Sequence, residues 1–176
     1  MVIKAIKKVI DYVYQKKTPI RYARSKGVTI GERCKLESFN FGSEPYLISM
    51  GNHVEITTNV TFITHDGATW ILRDNPKYKD VIRYGKIKIH DNVFIGHGTI
   101  ILPNIEIGNN VIVGAGSVVT KDIPDNSVYA GVPARFICKT EEYGEKCMKE
   151  TPNWDKENYR KNKKGEILKL FGDVIK

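Results

Sequence analysis

The sequence predicts an all-β protein wound as a parallel β-helix, and three observations carry that expectation. Six Ile or Val residues stand at every sixth position: Ile89, Ile95, Ile101, Ile107, Val113 and Val119. Four residues after each sits a small or branched residue, namely Val93, Thr99, Ile105, Val111, Ser117 and Ile123. Glycine and asparagine fill the gaps, as at Gly96, Gly98, Asn104, Gly108, Asn109, Asn110, Gly114 and Gly116. A period of six fits neither the 3.6 repeat of a helix face nor the alternation of a plain strand. It is the hexapeptide repeat of a chain coiled into a prism.

In such a coil the anchor residue points inward on each flat side, and the residues between anchors turn the corner. Gly and Asn collect there because they tolerate the left-handed backbone region. Three sides give about eighteen residues per coil. Ile89 is therefore expected to stack under Ile107, Ile95 under Val113, and Ile101 under Val119, with coils about 4.8 Å apart.

The elements follow in order. Residues 1–16 place Val2, Ile6, Val9, Ile10 and Val13 on one helical face and lysines on the other, so residues 1–27 are read as a helical cap over the open end of the prism. A membrane-surface helix is the alternative for this segment, and its scattered lysines do not resemble a signal peptide. The prism itself is expected over 28–138, in about five coils. Ile30 and Leu36, with Cys34 four residues after Ile30, open it. A slip of register falls within 40–47, and Met50, Ile56 and Phe62 resume the period with Val54 and Val60 at the offset of four. From Phe62 to Ile89 is 27 residues (89 − 62), not a multiple of six. An excursion loop over 67–86 accounts for the difference. From 139 to 176 the chain is polar, helix-prone and broken by Pro152, and reads as a helical tail.

At 176 residues this is one domain with terminal additions. Cys34, Cys138 and Cys147 are an odd number without ligand spacing, which points to a reducing, cytoplasmic compartment. No segment approaches the length of a transmembrane span. The net charge of +8 raises the question of nucleic acid, yet no nucleic-acid fold motif or aromatic platform accompanies it. Solubility, or a small polyanion such as a coenzyme with several phosphates, explains the excess as well.

The run IGHGTIILPNIEIGNNVIVGAGSVVTKDIPDNSVYAGVPAR, residues 95–135, resembles the hexapeptide-repeat acyltransferases, and among them the maltose, galactoside and capsular-sugar O-acetyltransferases. The resemblance extends over residues 48–138 and is specific for fold and superfamily but weak for the acceptor. It implies a left-handed parallel β-helix, against the usual right-handed crossover. It further implies a homotrimer with active sites between subunits, acetyl-CoA as acetyl donor, and no metal.

Moving an acetyl group from a thioester to a hydroxyl needs a base for the hydroxyl proton, donors for the developing oxyanion, and a clamp for the coenzyme. His65, in FITHDGATW, stands where the period fails and the excursion departs. An imidazole suits proton transfer near neutral pH, and the resemblance implies a catalytic histidine at this junction, so His65 is the candidate base. His53 and His90 fall at corner or outward positions and read as solvated. His97 occupies the IGxG corner one coil below Ala115, and the resemblance implies a backbone contact with the thioester end of the coenzyme. An N–H of His97 or Gly98 is the expected oxyanion donor. Gly114 and Ala115 let the pantetheine arm approach the backbone. Thr120, Lys121 and Arg135 match positions that meet the far end and phosphates of the coenzyme in the family, where Lys and Arg act as charge-assisted donors. Glu44 lies roughly where sugar acetyltransferases carry an acidic residue for acceptor hydroxyls. Trp70, in the excursion, is expected either to stack on a sugar ring or to pack at a subunit interface.

The leading expectation is transfer of acetyl from acetyl-CoA to a saccharide hydroxyl, with a surface-polysaccharide precursor as one candidate acceptor. A xenobiotic acetyltransferase and an amino-sugar N-acetyltransferase share the same parts. Outside the acyltransferases stand a zinc-dependent carbonic anhydrase of the γ type, which needs three converging histidines, and a non-catalytic scaffold.

Overall fold

The computed structural model describes residues 11–172. The chain divides into two compact units, Met1–Glu141 and Glu142–Lys176. The expected apolar face of the first helix falls largely on residues before 11, outside the described residues.

In the first unit, helix α1 covers residues 11–17, and α2 (Pro19–Ser25) follows after Thr18. The strands are β1 (Thr29–Ile30), β2 (Lys35–Leu36), β3 (Ile48–Met50), β4 (Val54–Ile56), β5 (Thr61–Phe62), β6 (Ile87–Ile89), β7 (Val93–Ile95), β8 (Ile100–Ile101), β9 (Ile105–Ile107), β10 (Val111–Val113), β11 (Val118–Val119), β12 (Ser127–Ala130) and β13 (Arg135–Lys139). They form three sheets that share one core. The first face is β1-β3-β6-β9, the second β13-β12-β10-β7-β4-β2, and the third β11-β8-β5. Every pairing is parallel except β12 with β13, which turns the chain back at the end of the prism.

The six-residue period is visible in the register. Ile89 stands opposite Ile107, Ile95 opposite Val113, and Ile101 opposite Val119. All six anchors are buried, as are the six residues at the offset of four. Among the latter, Thr99 and Ser117 are polar and fully buried. Each hydroxyl donates to the carbonyl three residues back, Thr99 Oγ1 to Gly96 O at 2.7 Å and Ser117 Oγ to Gly114 O at 2.6 Å. A short hydroxyl side chain can therefore take an interior position without an unsatisfied group.

Left-handed backbone is concentrated at the corners, and one corner shows why. Between the first and second faces, Arg33, His53, Asn92, Asn110 and Asn126 all have φ of 55–58°. Side-chain ladders stitch these levels together. Asn92 Oδ1 meets His53 Nδ1 at 2.8 Å, Asn92 Nδ2 donates to Asn110 Oδ1 at 2.8 Å, and Asn110 Nδ2 donates to Asn126 Oδ1 at 2.8 Å. Asparagine both tolerates the backbone and continues the ladder, a stacking known from other repetitive β structures. His53 thus ends a ladder rather than standing free.

The excursion is pinched at its base. Asp66 N–H donates to Arg83 O at 2.9 Å and Gly85 N–H to Thr64 O at 2.8 Å, while His65 and Tyr84 form an antiparallel bridge. Between these strands of contact lies α3 (Thr69–Leu72). Its buried Thr69 donates a hydroxyl hydrogen bond to Asp66 O at 3.1 Å. At the other end of the prism α2 buries Tyr22 and Ala23, and a chain of rings from Tyr22 through Phe39 and Phe41 reaches Phe62 inside the coils.

The last helices are α4 (Thr140–Glu150), α5 (Lys156–Lys161) and α6 (Lys163–Phe171). Within the second unit Asp155 caps α5, and buried Glu166 is held by Lys169 at 2.5 Å and by Asn158. Among the described residues no helix is long and apolar enough to cross a membrane.

Candidate functional site

His65 leaves the third face directly after β5, where the chain turns into the excursion. Its Nδ1 lies 3.0 Å from Glu44 Oε2. The same carboxylate oxygen accepts the Thr64 hydroxyl at 2.6 Å, and Ser43 Oγ approaches Nδ1 at 3.5 Å. Glu44 comes from the irregular segment before the short 3-10 turn Pro45–Leu47. It stands 21 residues before His65 (65 − 44), the same offset as the bridge between Asn40 and Thr61. Glu44 is thus the one-coil neighbour of His65, although the local chain is not strand.

The exposures differ: the Glu44 side chain is 12% accessible and that of His65 44%. The Thr64 hydroxyl, and after it the His65 imidazole, hold the Glu44 carboxyl below its ordinary range against the opposing effect of desolvation. Its proton affinity is therefore lower in the folded chain than in the unfolded one. The stability it contributes is full above the ordinary value near 4.5 and is lost as pH falls through the lowered folded value. Melting temperatures of wild type and Glu44→Gln, followed from pH 6 downward, are expected to converge below pH 4.5 because only the wild type loses this contribution. Parallel curves would show that the carboxylate is not coupled to folding.

His65 borders two clefts. One is walled by Ile63, Leu102, Pro103 and Thr120. The other is walled by Ser43, Glu44, Trp70, Arg73 and Tyr84. The register explains the first: Ile63 and Leu102 follow directly on β5 and β8, and Thr120 on β11, so they line up along one edge of the third face. Lys121 lies beside Thr120 and is exposed. Trp70 projects from α3 with 70% of its surface accessible. Glu44, His65, Trp70 and Thr120 are therefore gathered around one pair of clefts.

The remaining expected coenzyme residues lie along the opposite edge of the third face, before β8 and β11. The pairing of Ile95 with Val113 sets Ala115 one coil from His97. A Cβ on Gly96 would meet Ala115 N at 2.5 Å, so the corners are tightly stacked there. At Gly98 and Gly116, with φ of 69° and 67°, an added Cβ meets nothing within 4 Å, and bare backbone faces outward. Gly114 faces Ala130, which pairs with exposed Arg135 farther along the same edge. The Arg135 guanidinium donates to Ala134 O at 3.0 Å.

One expectation at this corner is corrected. Gly98 N–H already donates to Thr58 O at 3.1 Å, as coil-to-coil pairing requires, and so is not a free donor. The His97 carbonyl accepts from Gly116 N–H at 2.7 Å, and its ring Nδ1 is 2.6 Å from Thr58 Oγ1. The other histidines are also engaged, His53 with Asn92 and His90 with Glu106 at 2.5 Å. Among the described residues no three His, Cys, Asp or Glu side chains come together as a metal site would need.

Sequence reasoning did not find Ser43 and Thr64 behind the histidine, nor Arg73, Arg83 and Tyr84 in the cleft. Thr64 directly precedes His65 and could have been suspected. The excursion residues have no period that would have placed them.

Residues 86–121 match the family described as bacterial transferase hexapeptide (six repeats). Protein CapG of Staphylococcus aureus is 50% identical over 143 residues, covering 80% of this chain and 82% of CapG. Galactoside O-acetyltransferase of Escherichia coli is 35% identical over 121 residues, 68% of this chain and 57% of that protein. Among solved structures, a hexapeptide-repeat acetyltransferase of Vibrio cholerae complexed with acetyl coenzyme A superposes with a TM-score of 0.52 at 25% identity, covering 65% of this chain and 61% of the other. The chain thus spans most of CapG but less than two thirds of either named acetyltransferase. These neighbours imply the left-handed form of the β-helix. A hexapeptide register that runs through three sheets, together with this likeness to CapG over most of both chains, establishes that the chain belongs to the hexapeptide-repeat acyltransferase family.

Proposed function

We propose that the protein transfers an acetyl group from acetyl-CoA to a hydroxyl of a saccharide, with His65 as general base. The observation that carries this reading is the contact of His65 Nδ1 with the shielded carboxylate of Glu44 at the meeting of two clefts. A carboxylate only accepts, so Nδ1 carries the proton and Nε2 keeps its lone pair. Glu44 was expected to bind acceptor hydroxyls. We assign it instead to orienting His65 and balancing the imidazolium charge, because its Oε2 is shared by Thr64 and His65.

Acetyl-CoA supplies the acetyl group as an activated thioester. His65 Nε2 takes the acceptor hydroxyl proton as that oxygen forms its bond to the carbonyl carbon, and returns the proton to the departing sulfur. The oxyanion that develops needs a donor, and the His97 N–H is our candidate. The outward bare backbone at Gly98 and Gly116 suits an extended pantetheine arm, with Gly114 and Ala115 beside it. Thr120, Lys121 and Arg135 are assigned to the far end and phosphates of the coenzyme.

Within one chain His65 and His97 lie on opposite edges of the third face. We therefore propose a homotrimer of prisms, each of about five coils, in which a neighbour's corner brings its backbone donor to this His65. The test is direct. Purified protein incubated with acetyl-CoA and a panel of sugars should release free thiol and yield a sugar heavier by one acetyl group at oxygen. An acetyl group found only on an amino-sugar nitrogen, or thiol release equal with and without every acceptor, would refute the hydroxyl acceptor.

A further inference from the structure

The cleft that holds Glu44 and Trp70 is bordered by four charged side chains besides His65: Glu44, Asp66, Arg73 and Arg83. Their engagement is unequal. Glu44 is shielded and bonded to Thr64 and His65. Asp66 accepts the Ala68 N–H through Oδ1 at 3.0 Å and faces Arg83 through Oδ2. Both carboxylates are thus occupied by donors of the chain itself.

The guanidiniums are less fully engaged. Arg83 reaches Asp66 only at 3.5 Å and its side chain is 67% accessible. Arg73 is exposed and has no side-chain hydrogen bond or ion pair with any of the described residues. It terminates α3, three residues after Trp70, and residues three apart share a helix face. Buried Thr69, tied to Asp66 O, fixes that short helix to the base of the excursion. Trp70, Arg73 and Arg83 therefore border the same opening beside His65.

Resting on the acetyl-transfer reading, we infer that the acceptor is an anionic saccharide, whose ring stacks on Trp70 while its carboxylate or phosphoryl group is held by Arg73 and Arg83. Aromatic faces suit the apolar face of a sugar ring. A guanidinium suits either anion because its parallel N–H groups match two oxygens at once. A neutral sugar would leave Arg73 with water alone, and a cationic amino sugar would be repelled.

The experiment compares kcat/KM for three acceptors of one ring type: glucose, glucuronic acid and glucose 1-phosphate, by thiol release from acetyl-CoA. At least one anionic acceptor is expected to exceed glucose by about tenfold or more. The arm that does so identifies the anion as ring carboxylate or anomeric phosphate. In Arg73→Gln that ratio should fall towards one, and Arg73→Lys should restore part of it, with melting temperatures unchanged. Glucose equal to both anionic sugars, or a ratio unmoved in Arg73→Gln, overturns the inference and leaves acetyl transfer standing. Failure of every acceptor, with His65→Ala matching wild type in thiol release, overturns the transfer reading and the inference together.

Discussion

Replacing His65 by Ala is expected to lower kcat about a thousandfold while leaving affinity for acetyl-CoA and the melting temperature nearly unchanged. The magnitude is that of a positioned general base. The selectivity follows from position. His65 is 44% accessible and contributes to no core column, so its loss opens no cavity. The residues assigned to the coenzyme are other side chains and backbone groups. Single-turnover thiol release, paired with calorimetric titration of coenzyme, separates the two quantities. A variant that turns over within tenfold of wild type would remove the base from the mechanism. One that loses coenzyme affinity equally would move His65 from chemistry to binding. A scaffold without catalysis would show no difference.

The prism was legible because its physics repeats. Each coil must present an apolar anchor inward every six residues, and Ile89 to Val119 records that demand without interruption. Polar Thr99 and Ser117 fit the same reading because their hydroxyls are satisfied by their own corners. The corner conformation was less fully legible. Arg33 and His53 adopt the left-handed region that Asn usually takes, and an arginine does not signal it. The separate start of α2 was available in the pair Thr18-Pro19, a cap residue followed by the imino acid favoured at the first helical position. The candidate site divides along the same line. His65 could be singled out because it marks the break in the period and stands where the family resemblance implies a catalytic histidine. Its link to Glu44 depends on a coil of 21 residues, which the slip within 40–47 obscures. Arg73, Arg83 and Tyr84 meet His65 only through the fold of an excursion that obeys no repeat. Contacts set by a period can be counted along the chain, whereas contacts set by a loop's return path cannot.

The core itself supplies the second large effect, in Ile107→Ala. Ile107 is fully buried at the end of β9, opposite Ile89 on one side and bridged to Ile123 on the other. Losing three carbons there removes packing from both neighbouring levels. Collapse cannot repair the gap, because hydrogen bonds from His90 N to Ile107 O and from Gly108 N to Ile123 O, each 2.9 Å, hold the coils at fixed spacing. The cost should therefore lie in the range of about 2–5 kcal/mol found for buried aliphatic truncations. The outward neighbour provides the contrast. Lys88, on the adjacent strand of the same face, pairs with Glu106 at 3.0 Å where both side chains are half exposed, and Lys88→Ala should change stability by about 0.5 kcal/mol or less. Urea midpoints at one fixed protein concentration, with the slope checked for constancy, measure both. If Ile107→Ala cost no more than Lys88→Ala, the stacked columns would not be what holds the coils together. The edge that aligns Ile63, Leu102 and Thr120 beside His65 would then need another source of rigidity. If the predicted difference appears, the precision of that edge follows from the same stacking that the six-residue period encodes.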